Sequence, residues 1–160
     1  MNKQYFSVIL PFLFFILFFS TNSFAQIVED AEGLYHNEDK SLYSGLYTEF
    51  FENGNKKLEM NISDGLKDGI INIYFDNGNL NEIRSYSKGK MHGTWITYND
   101  KQVKTAEATY KNNQKDGKWL IWDDNGTMRY QMEYVDSKKS GKWLMWDEKG
   151  NLISEKDYSK

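Results

Sequence analysis

Gly117-Lys118-Trp119-Leu120-Ile121-Trp122-Asp123-Asp124-Asn125-Gly126 returns 24 residues later as Gly141-Lys142-Trp143-Leu144-Met145-Trp146-Asp147-Glu148-Lys149-Gly150. The spacing extends upstream as well. Gly45, Gly69, Gly93, Gly117 and Gly141 are each 24 residues apart, and the segments between them align without a gap. Self-similarity at this period means stacked copies of one supersecondary unit, each unable to bury its apolar surface alone.

With each of these glycines as column 1, the columns show what each position is for. Column 3 reads Tyr47, Ile71, Trp95, Trp119, Trp143, and column 6 reads Phe50, Tyr74, Tyr98, Trp122, Trp146. Every Trp of the chain falls in one of these two columns. Column 18 reads Ile62, Tyr86, Tyr110, Tyr134, Tyr158. Column 8 is always acidic, and column 10 is Gly in every copy but the third, which has Gln102. An acid followed by Asn or Lys and then Gly is turn chemistry, because Gly accepts a positive φ without steric cost. The column 8 acids therefore read as turn caps, and the third copy is predicted to have the loosest turn.

Columns 2 to 7 and 12 to 18 flank that turn and are rich in strand formers. Along the second strand, Leu58, Met60 and Ile62 alternate with Lys57, Glu59 and Asn61, the period of a strand with one dry face. Each copy thus reads as a β-hairpin. Two registers fit: a two-residue turn pairs column 3 with column 16 and sets Tyr opposite the column 1 Gly, and a longer turn with a glycine bulge pairs column 6 with column 12. The polar links of columns 19 to 24 are too short for a helical crossover, so successive strands run antiparallel. The predicted fold is all-β, an elongated single-layer antiparallel meander of 24-residue hairpin repeats at 45–68, 69–92, 93–116, 117–140 and 141–160.

Residues 1–25 read differently. Lys3 precedes an apolar run from Val8 to Phe19 that is too short to span a bilayer and contains Pro11, and Ser23-Phe24-Ala25 offers a signal-peptidase site. The expected mature chain starts at Gln26, is exported, and resides in a bacterial periplasm, at the cell surface or outside the cell. It has no Cys for lipidation or disulfides. Its 19 basic and 23 acidic residues, a net charge of −4, are dispersed along the chain, which argues against nucleic acid as a partner. No basic row is evident beside the aromatic columns, so lipid is not the expected partner either.

The run Gly117 to Gly126, followed by a Tyr-ended strand and a Lys-Asp-Gly or Lys-Ser-Gly link, resembles the bacterial variant of the MORN repeat. It is also similar to the YwqK-family antitoxin repeat proteins. The resemblance covers about Gly45 to Lys160, and residues 26–44 form an N-terminal cap in which Leu34 to Ser44 looks like a degenerate half-copy. It implies a β-sheet binding scaffold with no shared catalytic residues.

No enzyme is expected. His36 and His92 lie in the cap and in a link, and the chain lacks a nucleophile elbow, a phosphate loop and metal-ligand spacing. No cofactor or metal is expected. The function expected is that of a non-catalytic exported scaffold that binds a protein partner, with Trp95, Tyr98, Trp119, Trp122, Trp143 and Trp146 as the candidate surface. Two alternatives are a cell-wall or glycan binder stacking sugars on these rings, and an antitoxin-like partner of an exported toxin.

Overall fold

The structure is a computed structural model and describes residues 27–159. The signal peptide expected over residues 1–25 lies outside the described residues, as do Gln26 and Lys160. Two short strands, β1 (Val28–Glu29) and β2 (Tyr35–His36), form a small antiparallel sheet of their own. After them come β3 (Gly45–Phe50), β4 (Lys56–Ser63), β5 (Leu66–Tyr74), β6 (Leu80–Ser87), β7 (Lys90–Met91), β8 (Gly93–Tyr98), β9 (Lys104–Lys111), β10 (Gln114–Trp122), β11 (Met128–Val135), β12 (Lys138–Trp146) and β13 (Leu152–Asp157). These eleven strands make one sheet in chain order, with β7 and β8 both paired to β6. No helix occurs among the described residues.

Both registers considered from the sequence occur in the same hairpin. In the fourth copy Gly117 pairs with Tyr134 and Trp119 with Met132, whereas Trp122 pairs with Met128. A one-residue bulge on the second strand reconciles the two sets, and the same shift recurs in the other four hairpins. The tip is closed by the Asp123 N–H on the Thr127 carbonyl and the Gly126 N–H on the Asp123 carbonyl, each at 2.9 Å.

The capping side chain sits one column earlier than expected. Asp123 Oδ1 accepts the N–H groups of Asn125 and Thr127, both at 3.0 Å, and Asp147 and Asn99 serve the same role in their copies. Where column 7 is Phe51 or Phe75, Asn53 or Asn77 of column 9 accepts instead. The column 8 carboxylates point into solvent because their residue lies at the crest of the turn. The third turn is also no looser than the rest. Gln102 takes the left-handed conformation at φ 61 and its N–H bonds to the Asn99 carbonyl at 2.9 Å, as the glycines do in the other copies.

The links hold a second tight turn. Asp64-Gly65, Lys88-Gly89, Asn112-Asn113 and Asp136-Ser137 all have positive φ, the signature of a two-residue type I′ turn. The first strand of a copy therefore begins at column 22, earlier than the sequence reading placed it. The column 1 glycine lies inside that strand, at a bulge. Lys115 pairs with Tyr110 and Trp119 with Ala108, leaving Asp116, Gly117 and Lys118 opposite Thr109 alone. Successive links bond to each other, with the N–H of Gly89, Asn113 and Ser137 on the carbonyls of Lys67, Met91 and Lys115 at 2.8 to 2.9 Å.

Burial is sparse because a single layer has no second sheet to cover it. The buried apolar cluster is Tyr35, Met60, Ile62 and Ile71, where residues 27–44 fold over the first two copies. The Tyr35 N–H bonds to the Gly65 carbonyl, and Glu29 lies 3.6 Å from Lys67.

Two glycine substitutions separate the strand bulge from the hairpin tip. Gly117 and Gly150 both have positive φ, but a Cβ on Gly117 would lie 3.3 Å from Thr109 Cβ, while one on Gly150 meets nothing within 4 Å. Gly150→Ala should lower stability by about 1–2 kcal/mol, the cost of a left-handed Ala. Gly117→Ala should lower it further, as read from urea unfolding midpoints.

Candidate interaction surface

Side chains alternate along a strand, so columns 3 and 6 lie on opposite faces of the sheet. The six candidate residues therefore form two rows. Trp95, Trp119 and Trp143 stand on one face, and Tyr98, Trp122 and Trp146 on the other.

On the first face the column 3 indoles interleave with the column 18 phenols. Tyr86, Trp95, Tyr110, Trp119, Tyr134, Trp143 and Tyr158 form an unbroken run with ring centroids 4.9 to 5.5 Å apart, tilted or edge to face. Such tilted pairs contribute about 0.5–1.5 kcal/mol each beyond their buried area. β6 and β8 to β12 thus each supply a ring, and Tyr158 follows directly on β13.

Each indole of this row is also anchored to the neighbouring copy. Nε1 of Trp95, Trp119 and Trp143 donates to the carbonyls of Ser85, Thr109 and Glu133 at 3.0 to 3.1 Å. These carbonyls lie beside the column 1 bulge, where the regular ladder is interrupted. The second copy has Ile71 in place of Trp, so the ring run stops there and the aliphatic cluster under Tyr35 takes over.

Cations cover these rings. Nζ of Lys115 lies 4.2 Å from the Trp119 centroid and 5.0 Å from that of Tyr134. Lys139 lies 4.4 Å from Trp143 and 5.1 Å from Tyr158, and the Arg84 guanidinium is 5.2 Å from Trp95. Lys156 adds a second ammonium 5.1 Å from Tyr158. A basic row does accompany the aromatics, contrary to the reading of the sequence. Columns 22 to 24 have the Lys and Asp content of a loop, which hides column 23 as a position on a strand face. The signal was nonetheless present: Lys67, Lys115 and Lys139 recur at column 23, and Lys115 and Lys139 each precede a column 3 Trp by four residues.

Acids are distributed unequally between the faces. In copies three to five, columns 3, 5, 14, 16 and 18 of the ladder face contain no Asp or Glu. Glu107, Glu133, Glu155 and Asp157 occupy columns 15 and 17, on the opposite face. There Lys104 pairs with Glu107 at 2.8 Å and Lys142 with Glu155 at 2.6 Å, and Lys104 Nζ lies 4.4 Å from the Trp122 ring. The ladder face also exposes Ile121 and Tyr130.

The phenols differ in their surroundings. Burial pushes Tyr35, Tyr47 and Tyr110 above the ordinary phenol value. At Tyr158 partial burial acts in that direction too, but hydrogen bonds with Lys156 and Lys139 and their charge outweigh it and lower the value. Among the described residues, no three or more His, Asp or Glu are placed to share a metal ion, and no helix is long and apolar enough to cross a membrane.

A single sheet of self-similar hairpins, covered among the described residues only where the cap folds over its first two copies, defines a solenoid-like repeat protein. A family model described as the MORN repeat variant matches residues 43–64, 67–88, 115–136 and 139–160, more than half of the chain, and the chain belongs to that family. The third copy, which that model passes over, keeps the same pairing and the same indole bond. No curated protein matches the chain. Among solved structures, the crystal structure of a GtfA/B complex bound to UDP and GlcNAc is similar at 12% identity, over 82% of this chain and 23% of that one. The TM-score is 0.28, too low to inform either fold or site, and this chain spans under a quarter of that chain's length.

Two outcomes are expected. Trp119→Phe keeps a ring but loses the N–H, and should cost about 1 kcal/mol of unfolding free energy. In alkaline titration followed by tyrosinate absorbance, Tyr158→Phe should remove a phenol that titrates below the ordinary value of 10.0. The buried phenols work in the other sense: their raised values mean that unfolded Tyr loses its proton first. Their contribution to stability is then fully present below pH 10.0, the ordinary phenol value, and is lost as pH rises above it.

Proposed function

We propose that the chain is a non-catalytic scaffold, exported after removal of residues 1–25, that holds a protein partner along the ladder face of its sheet. One observation carries this reading: the sheet is a single layer whose ladder face, in copies three to five, is aromatic, carries cations over its rings and is free of carboxylates, with Ile121 and Tyr130 exposed. Aromatic and apolar groups rimmed by charge are what protein interfaces bury at their centres. A layered domain would cover such a face with its own chain, and here the cap reaches only the first two copies.

Sugar stacking requires a free ring face. The ammonium groups of Lys115, Lys139 and Lys104 lie over the rings of Trp119, Trp143 and Trp122, which weighs against a glycan platform at these positions. Protein contact has no such requirement. The indoles that build the ladder act as its floor, and the exposed residues between them make the contact.

Affinity capture from the native envelope fraction tests the reading with variants on the two faces. The double variant Ile121→Ser, Tyr130→Ser should lose the captured partner with an unchanged β-type circular dichroism spectrum. Ile70→Ser, on the opposite face and 44% exposed, should keep it. Retention of the partner by the ladder-face variant would overturn the assignment of the face. N-terminal sequencing of protein recovered from that fraction should begin at Gln26, and a start at Met1 would overturn the processing.

A further inference from the structure

The ladder face carries a charge for which the scaffold reading names no ligand. Arg84, Lys115 and Lys139 each lie over the Trp of the copy that follows, Lys115 and Lys139 from column 23 and Arg84 from column 16, and Lys156 joins Lys139 at Tyr158. Arg84 is paired with Glu82 at 2.7 Å. Lys115, Lys139 and Lys156 have no carboxylate within ion-pair reach among the described residues. They stand in a chain whose net charge is −3. A cation held over a ring keeps N–H donors directed away from it. Lys139 gives one N–H to the Tyr158 hydroxyl at 3.5 Å, and each ammonium keeps further donors. Lys115 on β10 and Lys139 on β12 stand one repeat apart.

That spacing identifies a chemistry. One repeat is two strands, so Lys115 and Lys139 stand about 9.6 Å apart along the sheet. A polyproline II segment has three residues per turn at about 3.1 Å each, so every third side chain falls on one side at about 9.3 Å. We propose that the ladder face of copies three to five binds an acidic, extended polypeptide segment running across the strands, with one carboxylate per repeat seated on Lys115 and on the Lys139–Lys156 pair. The inference rests on the scaffold reading and names the chemistry of its partner.

A planar anionic surface fits less well. A flat bilayer reaching the row would also approach the column 8 carboxylates of Asp100, Asp124 and Glu148 along the hairpin rim. Lipid-binding clusters, moreover, gather about four to eight cations in a patch. A single chain touches the row and avoids the rim.

The test uses the mature chain and a fluorescein-labelled proline-rich peptide with glutamate at every third position, followed by anisotropy. A peptide of the same composition with its glutamates consecutive is the first control, and vesicles of phosphatidylglycerol and phosphatidylcholine are the second. The regular peptide should bind more tightly than the blocked one. Combined Lys115→Gln, Lys139→Gln and Lys156→Gln should weaken it about tenfold or more, and added salt should do likewise. Lys118→Gln with Lys142→Gln, on the opposite face, should leave binding unchanged. Equal binding by the triple variant, equal binding of the two peptides, or vesicle binding that needs the same lysines without any peptide binding would each overturn the proposal. If the triple variant still captures the envelope partner that Ile121→Ser, Tyr130→Ser loses, the acidic segment is wrong and the scaffold reading stands.

Discussion

The contact on which the sheet depends is the indole of one copy reaching the backbone of the copy before it. Nε1 of Trp95, Trp119 and Trp143 each takes a column 17 carbonyl beside a bulge, while the ring lies between two phenols. A single-layer sheet cannot rely on a covered core, since each element is half exposed by construction. It needs contacts that stabilise laterally, from strand to strand. The stacked rings and the indole bond both do so, and both repeat with the sequence.

The bulge and the Trp are two parts of one device. Extra residues at column 1 disturb the regular ladder, and the indole N–H supplies the column 17 carbonyl with a donor at that point. The glycine lets the chain take a positive φ there with Thr109 packed against it. In copies three to five the Trp follows the glycine by two residues, the offset at which its indole reaches the carbonyl. The second copy, with Ile71, shows what replaces the device when it is absent: an aliphatic cluster closed by Tyr35.

Much of this was legible in the residues. The period, the hairpin and the antiparallel order follow from the columns, and the two registers weighed proved to be the two sides of one bulge. What was missed has one cause. Columns 19 to 24 were read as loop from their Lys and Asp content, although Asp64-Gly65 and Asn112-Asn113 are type I′ turn pairs that allow a link of only two residues. Starting the strand at column 22 puts Lys115 and Lys139 on the ladder face and exposes the charge row. The turn caps were misplaced by one column because the acid at column 8 is invariant in sign, whereas the group that bonds is Asp, Asn or, two positions on, a second Asn.

Hydrogen exchange at the indole N–H groups, resolved by NMR, addresses the lateral contact directly. Trp95, Trp119 and Trp143 donate to backbone carbonyls, and Trp122 and Trp146 have no such acceptor among the described residues. The first three should exchange slowly, at rates set by unfolding of the sheet, and the last two at close to the rate of free indole. If all five indoles exchanged alike, the ladder would not be what joins one repeat to the next.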